Sequence, residues 1–249
     1  MKKIVVILFI IILSIAASLR LFLYAYEHHS MQEQSFYRYT LSDKEVDMIQ
    51  DGDIILRHGY GLVSDMIVEQ LDEQYDISHC AIVCKDDTGC MVVHSVSSSL
   101  SNVDGVQSQN LKAFIRDSHY NSVIVIRYKS RINKPLSAIS RKAKYYLAQQ
   151  VPFDNAFNID DSSEFYCTEL LWKVILNEYG DDIMKGKNNE RKDHLRFDTF
   201  LDTTKFEIII NHHLRKKAQT SQVNPSDLSA GHLYCLPAQS SKRNHKRNS

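Results

Sequence analysis

A chain of 249 residues with 43% apolar and 24% charged content has the make-up of an ordinary globular protein with a sizeable core, and one domain is expected. Lys plus Arg and Asp plus Glu number 30 each, so no net field steers the chain toward nucleic acid or an acidic partner. No nucleic-acid-reading motif is present, and no nucleic-acid partner is expected.

The opening, MKKIVVILFIIILSIAASLRLFLYAY, sets two lysines before an apolar run from Ile4 to Tyr26 broken by one charge, Arg20. About twenty apolar residues suffice to cross a bilayer, and lysines ahead of the run keep the N-terminus cytoplasmic and send the rest outward. A cleaved signal peptide is the rival, since Ser14-Ile15-Ala16 and Ala16-Ala17-Ser18 fit the small-x-small cleavage pattern. The apolar character persists past both, with Phe22, Tyr24 and Tyr26 placed as an interfacial belt, which favours an anchor. Residues 1–26 are thus expected to be an anchor or signal peptide, residues 27–40 a polar tether, and residues 41–238 a domain outside the cytoplasm, secreted if the leader is removed.

Ser42 and Glu45 form a capping box for a short helix that carries Val46 and Ile49 inward and ends at Asp51-Gly52. DIILR predicts a strand, HGYG a tight turn, and Val63, Met66, Ile67 and Leu71 the three-and-four spacing of an amphipathic helix. From Asp76, DISHCAIVCKDDTGCMVVHSV predicts two strands joined at KDDTG, and SVIVIRY a third. Pro135 opens a helix with Ile139, Ala143, Tyr146 and Leu147 inward, stopped before Pro152. Asp160 to Gly180 starts with cap-forming residues and continues as a buried helix with Cys167 in its first turns. KGKNNERKD is a charged surface loop, Phe206 to Ile210 a short strand, and residues 239–249 a basic, solvated tail. Strands in runs with helices between and after them give an α+β class, an antiparallel sheet packed against helices.

Alternation along the first strand of the hairpin sends His79, Ala81 and Val83 to one face and Cys80, Ile82 and Cys84 to the other. A turn on Asp87-Thr88 pairs Lys85 with Cys90, Val83 with Val92 and Ala81 with His94, which sets His94 diagonal to His79 at about 7–8 Å between backbones. A one-residue slip, for which a bulge at Gly89 would be the cause, would part the two imidazoles. Cys80, Cys84 and Cys90 lack a CxxC knuckle and face away from both histidines, so no metal site is expected there. A Cys80–Cys84 disulfide would have to span about 13 Å of strand. These cysteines, with Cys235, are read as small buried hydrophobes, and the pairs His28-His29 and His212-His213 as solvated. No cofactor is expected, and Gly59 and Gly61 lack the lysine of a phosphate-binding loop. Cys167 stands apart: at a helix N-terminus the macrodipole lowers a thiol pKa, and an imidazole lowers it further. A plain core cysteine fits the local sequence equally well.

Taken in order, GDIILRHGYGLVSDMI, SHCAIV, VVHSV, VPFDNAFN and EFYCTELLWK resemble the motifs of the circularly permuted papain-like hydrolases of the NlpC-related superfamily, in particular the bacterial YiiX-like group, with lecithin:retinol acyltransferase a more distant relative. NPSDLSAGHLY resembles a C-terminal segment of that group. The resemblance implies a permuted papain-like (NlpC-type) fold with Cys167 as nucleophile, His79 as base, and His94 as the third polar group, where many relatives carry a glutamate and the acyltransferase branch a histidine. Tyr166 would line the site, His58 beside HGYG would border the cleft, and Asp154 would anchor a loop. The expected chemistry is thiolate attack on an amide or ester carbonyl, an oxyanion held by helix-start N–H groups, and hydrolysis of the acyl-enzyme. Cell-wall peptides, N-acyl compounds and lipids stand open as substrates. The alternatives are lipid acyl transfer by the same triad and a membrane-anchored binding domain without turnover.

Overall fold

The computed structural model describes residues 2–87, 89–159, 163–185 and 196–214. Six strands, β1 (Ile54–Arg57), β2 (His79–Asp86), β3 (Gly89–Val96), β4 (Gly105–Asn110), β5 (Ile124–Tyr128) and β6 (Phe206–Asn211), form one antiparallel sheet in the order β4-β3-β2-β1-β5-β6. The helices are α1 (Lys2–Tyr37), α2 (Asp43–Met48), α3 (Leu62–Leu71), α4 (Leu111–Arg116), α5 (Ser137–Ala148) and α6 (Cys167–Tyr179). The α+β class expected from the sequence is the one observed.

Both faces of the sheet are covered, which is why β1, β5 and the Cys80–Cys84 stretch of β2 consist mainly of buried apolar residues. On one face Ile54, Leu56, Cys80, Ile82 and Val93 pack under α5 and α6, with Ile139, Leu170, Leu171, Val174 and Phe200. On the other, Ile55, Ala81, Val83, Val92 and Val125 pack against Phe114 and Ile115 of α4, Tyr39 and Ile49. Each fully buried aliphatic or aromatic side chain contributes about 1.5–3 kcal/mol, so the two layers hold the sheet from both sides. The capping box predicted at α2 is present, Ser42 and Glu45 bonding reciprocally. The β2–β3 register is also as predicted, with Lys85 opposite Cys90, Val83 opposite Val92 and Asp86 opposite Gly89, and no bulge.

Four expectations change. Residues 27–37, expected as a polar tether, continue α1, which runs unbroken from the apolar segment to Tyr37. The reason is tertiary: α3 begins at Gly61 with no cap of its own, and α1 supplies one. The Glu27 carboxylate accepts from the Leu62 N–H at 3.1 Å and the Ser30 hydroxyl from the Gly61 N–H at 2.9 Å. His212 and His213, expected in solvent, are buried at the end of β6. His212 Nε2 lies 2.8 Å from Glu45 and His213 Nε2 2.9 Å from the Ser122 carbonyl, so both imidazoles find polar partners inside. The N-cap of α6 is Tyr166, with no side-chain cap bond, and of the cap-forming residues expected before Cys167, Asp160, Asp161 and Ser162 lie outside the described residues. Finally, GVQSQN forms the edge strand β4 and is followed by α4, neither predicted because every apolar signal there is short. The loop KGKNNERKD apart from Lys185, Cys235, NPSDLSAGHLY and residues 239–249 lie outside the described residues.

Gly105 fixes the approach to α6. Its φ is +77°, and a Cβ there would sit 2.1 Å from the Val151 carbonyl oxygen. Val106 N–H donates to that oxygen at 2.8 Å, and Phe165 N–H donates to the next carbonyl, that of Pro152, at 3.0 Å. Gly105→Ala is expected to lower stability by about 1–3 kcal/mol, read as a lower urea midpoint at unchanged slope. An unchanged midpoint would show that the clash relaxes freely.

Candidate active site

β2 begins at His79 and β1 ends at Arg57, its direct partner, so both side chains stand at one end of the sheet. His94 lies on β3 one alternation further in, on the same face. The diagonal separation is closed by the rings themselves: His79 Nε2 lies 2.8 Å from His94 Nδ1, with the ring planes inclined at 69°. Phe114 of α4 backs both imidazoles, its centroid 5.9 Å from that of His79 and 5.4 Å from that of His94. The Arg57 guanidinium sits over the same ring at 4.0 Å and donates to the Phe114 carbonyl at 3.0 Å, which fixes a positive charge beside the pair.

That charge and the burial act in the same direction. Burial first, then His94 and Arg57, hold His79 well below the usual imidazole range. Burial, then Arg57, pushes His94 down to about 3. Both rings are therefore neutral near pH 7. When His79 donates from Nε2 to His94, its Nδ1 is left with a lone pair, the tautomer a proton acceptor needs.

Cys167 is the first residue of α6, and its approach is set by the preceding segment: Phe165 is tied to Pro152, and the Ser95 hydroxyl donates to the Phe165 carbonyl. Its thiol pKa is lowered, chiefly by a hydrogen bond from the Cys80 thiol and then, against the cost of burial, by the N–H groups of Thr168, Cys80 and Cys167. The Cys80 thiol moves the opposite way, pushed well up by burial and then by Cys167. The sulfur that the face argument sets away from the histidines is thus the neighbour of Cys167.

Cys167 and His79 line one cavity of about 350 Å³, together with Arg57, Tyr60, Ser95 and Phe153. Glu27 and Gln34 of α1 close its rim. His94 stands behind His79, out of the lining. Tyr166 does not line the cavity either: it is 2% exposed, its ring packed 5.4 Å from that of Phe157, because the N-cap geometry turns it into the wall. His58 also turns away, its Nε2 2.8 Å from Asp65, while the neighbouring Gly59 and Tyr60 do border the cavity. Asp154 is buried and accepts from the Ala156 and Asn158 N–H groups, the loop-anchoring role expected of it. Arg57, Phe114 and Cys80 were not read as site residues. Arg57 alone carried a signal, a charge ending an otherwise apolar strand.

The chain matches, over residues 48–228, the family described as permuted papain-like amidase enzyme, YaeF/YiiX, C92 family. No curated protein matches it. Among solved structures it is similar to metalloprotein YiiX of Escherichia coli O157:H7, with a TM-score of 0.50 at 20% identity, covering 66% of this chain and 98% of that one. That likeness is one of fold. The match of the family over residues 48–228, most of the chain, means that this protein belongs to the YaeF/YiiX family of permuted papain-like amidases.

Proposed function

We propose that the protein is a cysteine hydrolase acting outside the cytoplasm on an amide or ester bond of an amphiphilic substrate at the membrane surface. The observation that carries the chemistry is the convergence in one cavity of a thiol at a helix N-terminus and a neutral, second-imidazole-tied histidine. In this reading Cys167 Sγ attacks the carbonyl carbon as His79 Nδ1 takes the thiol proton, and the N–H groups at the start of α6 stabilise the oxyanion. The carbonyl re-forms, the bond to the amine or alkoxide breaks, and His79 returns the proton to that leaving group. Water then attacks the acyl-enzyme with His79 again as acceptor, the C–S bond breaks to release the carboxylic acid, and the proton held by His79 returns to the Cys167 sulfur. His94 orients His79 throughout.

The choice of substrate class rests on α1, which is long and apolar enough to cross a bilayer. Glu27 follows Tyr26, the last residue of the apolar run, and lines the cavity; Gln34, about 10 Å further along the helix, lines it too. A cavity that near the end of a membrane span favours N-acyl amides or lipid esters over cell-wall peptides. On full-length protein, N-acyl amides in vesicles are expected to turn over faster than soluble muropeptides. His79→Ala should cost about 10²–10⁴-fold and Cys167→Ala should abolish turnover, with circular dichroism unchanged. Full hydrolysis by the Cys167→Ala variant would overturn the thiol mechanism, and faster muropeptide cleavage the substrate class.

The poise of the thiol depends on Cys80 as donor. Cys80→Ala is expected to move the iodoacetamide-labelling midpoint of Cys167 to higher pH, while Cys80→Ser, which keeps a donor, should move it less. Equal midpoints in all three proteins would remove Cys80 from the account.

Arg57 lowers both imidazole pKa values, so its loss raises them, and His79 then protonates at a higher pH as acid is added. The acidic limb of kcat/KM is expected below pH 6.5 in the parent and at higher pH in Arg57→Gln. A limb that does not move would show that burial alone sets His79.

A further inference from the structure

Beside the cavity, three residues from three elements converge on one point. His58 follows β1, Asp65 lies on α3, and His119 follows α4. Their ligand atoms all lie within 4.8 Å of one another, with Asp65 Oδ1 2.8 Å from His58 Nε2 and 3.8 Å from His119 Nε2. A tetrahedral ion with bonds of about 2.0–2.1 Å separates its ligands by about 3.3 Å, a spacing those two distances bracket. We infer that His58, Asp65 and His119 form a binding site for a divalent transition-metal ion of the zinc class.

The surroundings hold the three groups in place. The His119 N–H donates to the His58 carbonyl at 2.8 Å, which ties the two backbones together. The imidazoles stack at 4.2 Å between centroids, and Tyr60 stacks on the other side of His119 at 4.0 Å, so both ring planes are fixed. Both Nε2 atoms are buried. The second carboxylate oxygen of Asp65 accepts from the Tyr26 hydroxyl of α1, the kind of outer partner that orients a ligating carboxylate. Two imidazole nitrogens and one carboxylate oxygen suit Zn²⁺ or its neighbours rather than Ca²⁺ or Mg²⁺, which prefer oxygen throughout. Three protein ligands leave one position for water or a substrate atom. Because His58 and Asp65 flank the Gly59–Gly61 turn that borders the cavity, an ion here braces that wall and, through Tyr26, the anchoring helix. The three ligands are dispersed in sequence and match no metal motif, so no metal was expected there.

The test uses detergent-solubilised full-length protein stripped with chelator and titrated with Zn²⁺ alone, read by calorimetry and by metal content after desalting. One equivalent is expected to bind and to raise the unfolding midpoint. His119→Gln and Asp65→Asn should each cost at least about a hundredfold in affinity, Tyr26→Phe about tenfold, and His28→Ala, an exposed histidine on α1, nothing. Circular dichroism of the metal-free variants reports folding separately. Co²⁺ in the same site should give a visible spectrum without a thiolate charge-transfer band. Absence of binding, or binding lost in Cys167→Ala and kept in His119→Gln, would overturn the proposal and leave the hydrolase reading untouched.

Discussion

The pairing of β2 with β3 decides which side chains can meet at the end of the sheet. With Asp86 opposite Gly89, the alternation of the strands carries His79 and His94 to one face and Cys80 to the other. A shift by a single residue would reverse His94 and leave His79 without its nitrogen partner. The register is held by burial on both faces: every residue from Cys80 to Cys84 is covered, so a slip would exchange two packed layers at once. The hairpin is the structural constraint, and the helix that brings Cys167 is docked against it.

From this follows a division of electrical labour across the sheet. On the α4 side a guanidinium and a dry aromatic floor keep two imidazoles uncharged. On the α6 side backbone donors and one protonated thiol favour negative charge on a neighbouring sulfur. The two environments act from opposite faces of a strand whose first two residues, His79 and Cys80, supply one group to each, and they leave uncharged imidazoles on one side and a thiol of lowered pKa on the other.

Much of this was legible in the chain. The period-two pattern of β2 and β3, the turn at KDDTG, and the glycine stop at Gly180 act locally, so residue type alone carries them. Motif order singled out Cys167 and His79, two residues that line one cavity. What escaped depends on distant partners. The stretch 27–37 looks like a solvated linker until the uncapped start of α3 is set beside it. His212 and His213 look exposed until Glu45 and Ser122 reach them. The polar run GVQSQN pairs with β3 only because an edge strand needs one covered face. His58, His119 and Asp65 have no common period, since two loops and a helix rather than one element bring them together.

The unbroken helix α1 has a mechanical consequence. Its apolar stretch from Ile4 to Tyr26 measures about 34 Å, a few ångströms more than the about 30 Å of an average hydrocarbon layer. A helix too long for its bilayer leans, and this one is bonded to the domain through Glu27, Ser30 and Gln34 with no swivel between. In the proposed membrane-anchored form, a thinner membrane would therefore lean the helix and the domain bonded to it further and a thicker one would stand them upright, making bilayer thickness a setting for the angle of approach.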